Sequence, residues 1–290
     1  MSKSSTITIT FSEVVEPHVG CKQIGTKIEN GPSVEDLYLT KKAIIEWLKI
    51  HSLPIPEITI EEMYGDDAAV MIIRKLKAHD LSIFETMKNL NWDKQYLDSR
   101  RGKILNKLAR HNLCFTDECM EPNYEAGAGR TYAFSNLPVP FQMMRNMLTA
   151  SLHVNKRLYS EQYSQSLYAE GNYYYDASKC YIGWHGDVER SVVVGYRMGE
   201  TFPLYFWYFD VLENKVTPYK DADGNDKVYK FDLEDGDSYI MSNGANGSYW
   251  RHKKAHYRHA AGFLETIIKT QPKVPLCFQS GKFAKTMCKD

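Results

Sequence analysis

Apolar and polar positions change period partway along the chain. Before about residue 115 the spacing predicts helices. "SVEDLYLTKKAIIEWLKIHSLP" (33–54) starts with a capping Ser33, carries acids in its first turn and stops at Pro54. "DDAAVMIIRKLKAH" (66–79) and "DLSIFETMKNL" (80–90) read the same way, as does "KQYLDSRRGKILNKLAR" (94–110), with six basic residues and one acidic. That charge run fits a solvated face or a phosphate-binding one.

Beyond residue 130 one more helix is expected in "LPVPFQMMRNMLTASLHV" (137–154). The rest breaks into short β-rich runs: "SQSLYAEG", "YIGWHG", "RSVVVGYRMG", "PLYFWYFDVLEN", "KVYKFDLEDGDSYIMSN", "YRHAAG" and "LETIIK". "KDADGNDK" (220–227) is a turn between two strands. The expected organisation is a mostly helical region over 1–115 and a mainly β domain over 116–290. Many strands at short spacing suggest a sandwich or jelly roll.

Composition narrows the class. Of 290 residues, 43% are hydrophobic, enough for a substantial core, and the formal net charge is zero, so no globally basic, nucleic-acid-coating surface is indicated. "MSKSSTITIT" lacks the apolar stretch of a secretory signal, and the longest apolar run, "FPLYFWYF" (202–209), is too short to span a membrane. Six cysteines without a C-x-x-C pair read as reduced thiols. These features predict an intracellular protein, cytoplasmic or nuclear, not secreted and not membrane-bound.

The chemistry gathers in "YIGWHGDVER" (181–190). On a strand, residues i and i+2 share a face, so His185 and Asp187 can enter one pocket with only Gly186 between them. An imidazole and a carboxylate are two thirds of a two-histidine, one-carboxylate metal set. Downstream, His252, His256 and His259 fall within eight residues. His259, among the small residues of "YRHAAG", is favoured as the third ligand. His252 is the alternative, although Arg251, Lys253 and Lys254 disfavour a second cation beside it. Tyr173, Tyr175, Trp184, Tyr205, Trp207 and Trp250 could exclude water, a minority of them functionally; "SNGANGS" (242–248) reads as a lid or a long connection.

The ordered set "GNYYYDASKCYIGWHGDVER … GDSYIMSNGANGSYW … RHAAG" resembles the Fe(II)/2-oxoglutarate-dependent oxygenase superfamily, and within it the AlkB-like branch. The resemblance covers roughly residues 130–270. It implies a double-stranded β-helix, or jelly roll, with flanking helices. It implies Fe(II) on His185, Asp187 and a distal histidine, with 2-oxoglutarate and O2 as cosubstrates. Asn172 and Tyr174 would hydrogen-bond the cosubstrate, in the positions of an N-x-Y-x-D segment ending at Asp176; Gly236, Asp237 and Met241 match a G-D-x-x-x-M segment. The reaction would yield succinate, CO2 and a hydroxylated C–H bond, on a methylated nucleobase in DNA or RNA or, alternatively, on a protein side chain or small metabolite. The branch usually holds the cosubstrate with an arginine after the distal histidine. Here no arginine follows His259, so Lys269 is the expected cation, or Arg258 if His252 is the ligand. Glu189, Arg190 and Trp250 are the candidate substrate contacts, with a surface ion pair as the alternative for Glu189 and Arg190.

Overall fold

In a computed structural model of the chain, residues 4–16, 23–76, 81–153, 166–213, 215–249 and 254–270 are described. In chain order the elements begin β1 (Thr6–Ser12), β2 (Val14–Val15), β3 (Ile24–Gly25), α1 (Val34–Ile50), β4 (Ile58–Glu62) and β5 (Ala69–Ile73). Then come α2 (Leu81–Lys88), β6 (Gln95–Asp98), β7 (Lys103–Asn106), β8 (His111–Thr116), β9 (Thr131–Ala133) and α3 (Val139–His153). The remainder is β10 (Tyr168–Tyr174), β11 (Ile182–His185), β12 (Val193–Gly199), β13 (Phe202–Leu212), β14 (Lys215–Pro218), β15 (Val228–Leu233), β16 (Ser238–Met241), β17 (His256–Ala261) and α4 (Leu264–Thr270).

The protein is mainly β. An eight-stranded sheet runs β4-β5-β16-β12-β1-β10-β8-β9, and a five-stranded sheet runs β11-β17-β13-β14 with β15 also on β13. Helices cover one face of the large sheet, where Ile7, Ile9 and Phe11 of β1 meet Leu37 and Ile44 of α1 and Phe141 of α3. The other face packs on the small sheet, with Val70, Val193 and Met241 against Phe202, Leu204 and Phe206.

Two helix expectations and one strand expectation fail. Residues 69–73 form β5, buried on both faces between β4 and β16. A β-branched run with two apolar faces has no polar side to set a period, so its spacing does not separate strand from helix. Residues 94–110 hold the β6–β7 hairpin, turned at Gly102 (φ 58°) with the Asp98 carboxylate accepting from the backbone N–H groups of Arg100 and Arg101. "LETIIK", expected as a strand, lies in α4. The boundary at 115 does not separate two regions either, because β1, β4, β5 and β8 belong to the same sheet as β10, β12 and β16.

Other local signals hold. Ser33 and Asp36 form a reciprocal capping box on α1, each side chain accepting from the other's backbone N–H. Leu37, Thr40, Ile44 and Leu48 then recur at helical spacing on its buried face. Among the described residues no helix is long and apolar enough to cross a membrane.

β1 positions the site. Its alternation of Thr and Ile places Ile7, Ile9 and Phe11 under the helices and turns Thr8 and Thr10 toward the space between the sheets. It pairs with β10 on one side and β12 on the other.

Candidate metal centre and its cavity

β11 and β17 pair antiparallel with His185 opposite His259. The two imidazole rings lie 4.3 Å apart between centroids, inclined by 62°. β11 ends at His185, so Asp187 stands in the loop beyond it rather than on the strand. The Asp187 backbone N–H donates to the Asn246 carbonyl at 3.0 Å, and the Asn246 side chain donates to the Ser191 carbonyl at 3.2 Å. "SNGANGS" is therefore no lid: Ser242, Ala245 and Asn246 are buried and brace the aspartate loop. Gly247 (φ 74°) is required there, since a Cβ would sit 2.3 Å from the Tyr257 carbonyl oxygen and 3.0 Å from the Gly186 Cα.

The Asp187 carboxylate lies 3.7 Å from His185 Nε2 and 3.5 Å from His259 Nε2, and one donor atom from each residue falls within 4.8 Å of the others. His185 Nδ1 is 2.7 Å from the Gly183 carbonyl. A carbonyl only accepts, so Nδ1 carries the proton and Nε2 is a bare lone pair facing the aspartate, the tautomer a metal ligand requires. Burial holds the pKa of His185 below the ordinary imidazole value, with Arg110 and Arg190 among the smaller causes, and burial holds that of His259 well below it. The Asp187 carboxyl is pushed up to about 8, first by burial and next by the Glu189 charge. Two neutral imidazoles and a carboxylate that faces them are the donor set for a divalent first-row metal, and they fit Fe(II).

A stability consequence follows. Asp187 takes up its proton more readily in the folded metal-free protein than in the unfolded chain, where an aspartate titrates near ~3.9. Stability of that form is therefore fully present below about pH 4 and falls as pH rises toward about 8. Thermal unfolding in a chelator should show Asp187→Asn melting above wild type at pH 8, with the gap closing toward pH 4. A gap independent of pH would refute this account.

The three residues line a cavity of about 190 Å³ between the sheets. Asn172 and Tyr174, both buried, line it from β10. Asn172 Oδ1 accepts from Arg110 Nε at 2.5 Å and from Asn112 Nδ2 at 2.8 Å. Glu189 and Arg190 are not a surface pair. Arg190 is 5% exposed and donates to Glu170 at 2.7 Å and to Glu189 at 3.2 Å, tying the aspartate loop to β10. Asp237 is structural, accepting from Arg74 Nη1 at 2.6 Å and from the backbone N–H groups of Lys75 and Glu234. The Asp176 carboxylate accepts from Ser178 Oγ in the turn after β10. Of the candidate aromatic shield, Trp184, Tyr205 and Trp207 belong to a separate core on the outer side of the small sheet.

Of the expected cosubstrate cations, Arg258 does not line this cavity. Alternation along β17 sends Arg258 to the face opposite His259, 4.2 Å above the Phe209 ring. The chain after β17 enters α4 instead of returning as a strand, and the side chain of Lys269 lies outside the described residues, as do Trp250 and His252. A different arginine lines the cavity. Arg197 of β12, 1% exposed, stands directly across from Thr8 and donates Nη1 to its hydroxyl. Its Nε is buried with no partner, and no described carboxylate pairs with it. Sequence reading missed it, although one charge in the apolar run "SVVVGYRMG" was a signal.

These features define a mainly β protein with a two-histidine, one-aspartate cluster opening on a cavity that holds a buried cation. The chain is 35% identical over 269 residues to "Uncharacterized protein R156" of Acanthamoeba polyphaga mimivirus, an alignment spanning 89% of this chain and 95% of that protein, and it belongs to the same family. No family model matches the chain.

Proposed function

We propose that the protein is an Fe(II)- and 2-oxoglutarate-dependent dioxygenase on a jelly-roll core, AlkB-like in its sequence motifs, that hydroxylates a C–H bond. The observation that carries this reading is the convergence of His185, Asp187 and His259 on a cavity that also contains Arg197. A metal set alone fits many chemistries. A metal set sharing a small cavity with an unpaired buried guanidinium fits one that must also hold a carboxylate, because such a charge is costly until an anion joins it.

When bound, iron would bring dioxygen, the oxidant, together with 2-oxoglutarate, the two-electron co-reductant: one oxygen atom would end in succinate, released with CO2, and the other in the hydroxylated C–H bond. His185 and His259 offer neutral nitrogens, and Asp187 offers the compensating charge. Arg197 and the Thr8 hydroxyl hold the far carboxylate. The Tyr174 hydroxyl and the Asn172 amide N–H groups, which line the same cavity, would orient the rest. Among the described lining residues the only aromatics are the tyrosines Tyr174 and Tyr239. A flipped nucleobase is held by stacking as well as hydrogen bonds. The lining therefore favours a small polar substrate or side chain over a base.

The test is succinate formation from 2-oxoglutarate under air. Turnover should require added Fe(II) and oxygen and stop with a chelator. Succinate release indifferent to Fe(II), or none under any metal, would end this reading.

A further inference from the structure

A second arginine lines the cavity without a carboxylate. Arg110 precedes β8, and its guanidinium is directed into the cavity by one hydrogen bond, Nε to Asn172 Oδ1. Among the described residues neither Nη group has an acceptor, and no acid forms an ion pair with it. Of the four acids lining the cavity, Glu170 and Glu189 are engaged by Arg190, Asp187 faces the two histidines, and Glu16 has a partner other than Arg110.

The support around Arg110 is buried and made of amides. Asn172 is 7% exposed and Asn112 3%; Asn112 Nδ2 donates to Asn172 Oδ1, and Asn112 Oδ1 accepts from Lys107 Nζ at 3.0 Å. An amide oxygen orients a guanidinium without cancelling its charge, whereas a carboxylate would do both. Arg110 thus keeps a full positive charge and a free end-on pair of N–H groups, the geometry that grips a carboxylate or phosphate. Arg197, almost fully buried, is taken by the cosubstrate in the reading above. Arg110 is half-buried, and so more accessible to an incoming molecule than Arg197.

We propose that Arg110 docks an anionic group, a carboxylate or a phosphate, on the molecule to be hydroxylated, so that the substrate class is anionic. The proposal rests on the oxygenase reading for the word substrate, but not for the anion site.

The test uses methyl phosphate and acetate as probes, titrated calorimetrically into anaerobic protein loaded with Mn(II) and 2-oxoglutarate. Wild type should bind at least one of them at a single saturable site that weakens with salt, and the preferred probe tells phosphate from carboxylate. Arg110→Met should weaken that binding by about 10- to 100-fold, the loss expected for charge-assisted hydrogen bonds. Arg110→Lys should keep part of it, and 2-oxoglutarate affinity should stay within about twofold in both variants. Absence of saturable probe binding in wild type would overturn the proposal. So would an Arg110→Met protein whose 2-oxoglutarate affinity falls as far as that of Arg197→Met, which would make Arg110 a cosubstrate residue. If wild type binds neither metal nor 2-oxoglutarate, the oxygenase reading fails. The same titration in metal-free Arg197→Met protein, with and without Arg110→Met, then still decides the anion site.

Discussion

Replacing His259 by alanine should abolish metal binding and all 2-oxoglutarate turnover while leaving a folded protein. His185→Ala and Asp187→Ala should do the same. Each variant removes one of three donors that meet within 4.8 Å, and two remaining donors hold a labile divalent ion poorly. Folding should survive because the cluster contributes little to the apolar cores. His259 Nδ1 is buried without a hydrogen-bond partner, so no described internal bond of that nitrogen is lost with the ring. The measurement is Co(II) titration followed by its visible absorption, with far-UV circular dichroism as the folding control. Retention of a tetrahedral or five-coordinate Co(II) spectrum by His259→Ala would show that another histidine completes the set. Unfolding of an Asp187→Asn protein, a change less disruptive than any of the three alanine substitutions, would show the cluster to be a structural element instead.

Arg197→Met should weaken 2-oxoglutarate binding by about 10- to 100-fold, corresponding to about 1.5–3 kcal/mol for hydrogen bonds to a charged group, without lowering the melting temperature of the ligand-free protein. The two parts of the expectation have one cause. Burial costs the guanidinium its hydration, and burial draws its pKa down. Its compensation within the chain is the Thr8 hydroxyl, the Phe202 ring 5.1 Å away and the more distant charge of Asp237, which Arg74 already pairs. Replacing a buried, incompletely paired charge with an apolar side chain of similar length is neutral or stabilising. An arginine present for structure would behave in the opposite way: its loss would lower the melting temperature and leave ligand affinity unchanged. Calorimetry of 2-oxoglutarate with Mn(II)-loaded protein, beside thermal unfolding of the ligand-free form, separates the cases. Thr8→Val should lower affinity in the same direction by a smaller factor.

Local chemistry was legible in the chain. The Ser33–Asp36 capping box, the helical spacing of 137–154 and the β-rich runs around "RSVVVGYRMG" and "PLYFWYFDVLEN" each depend on neighbours within one or two turns of chain, and the structure holds α1, α3, β12 and β13 there. The pairing of an imidazole with a carboxylate two residues on was visible as H-x-D, and the small residues of "YRHAAG" marked His259, which lies across from His185. Long-range placement was not legible. β5 is apolar on both faces because sheet neighbours and both cores enclose it, and enclosure removes the polar side from which a period is read. β1 did carry a period-two signal in "TITITF", but nothing local could say that it would lie between β10 and β12. That placement brings Thr8 against Arg197, 189 residues away, and turns a lone arginine in an apolar run into the cation of the cavity. Arg110 likewise became a candidate only when β8 paired with β10 and set it beside Asn172. Motifs are short-range and survive in the sequence; the partners that give a charge its role are chosen by strand pairing, which only the folded chain decides.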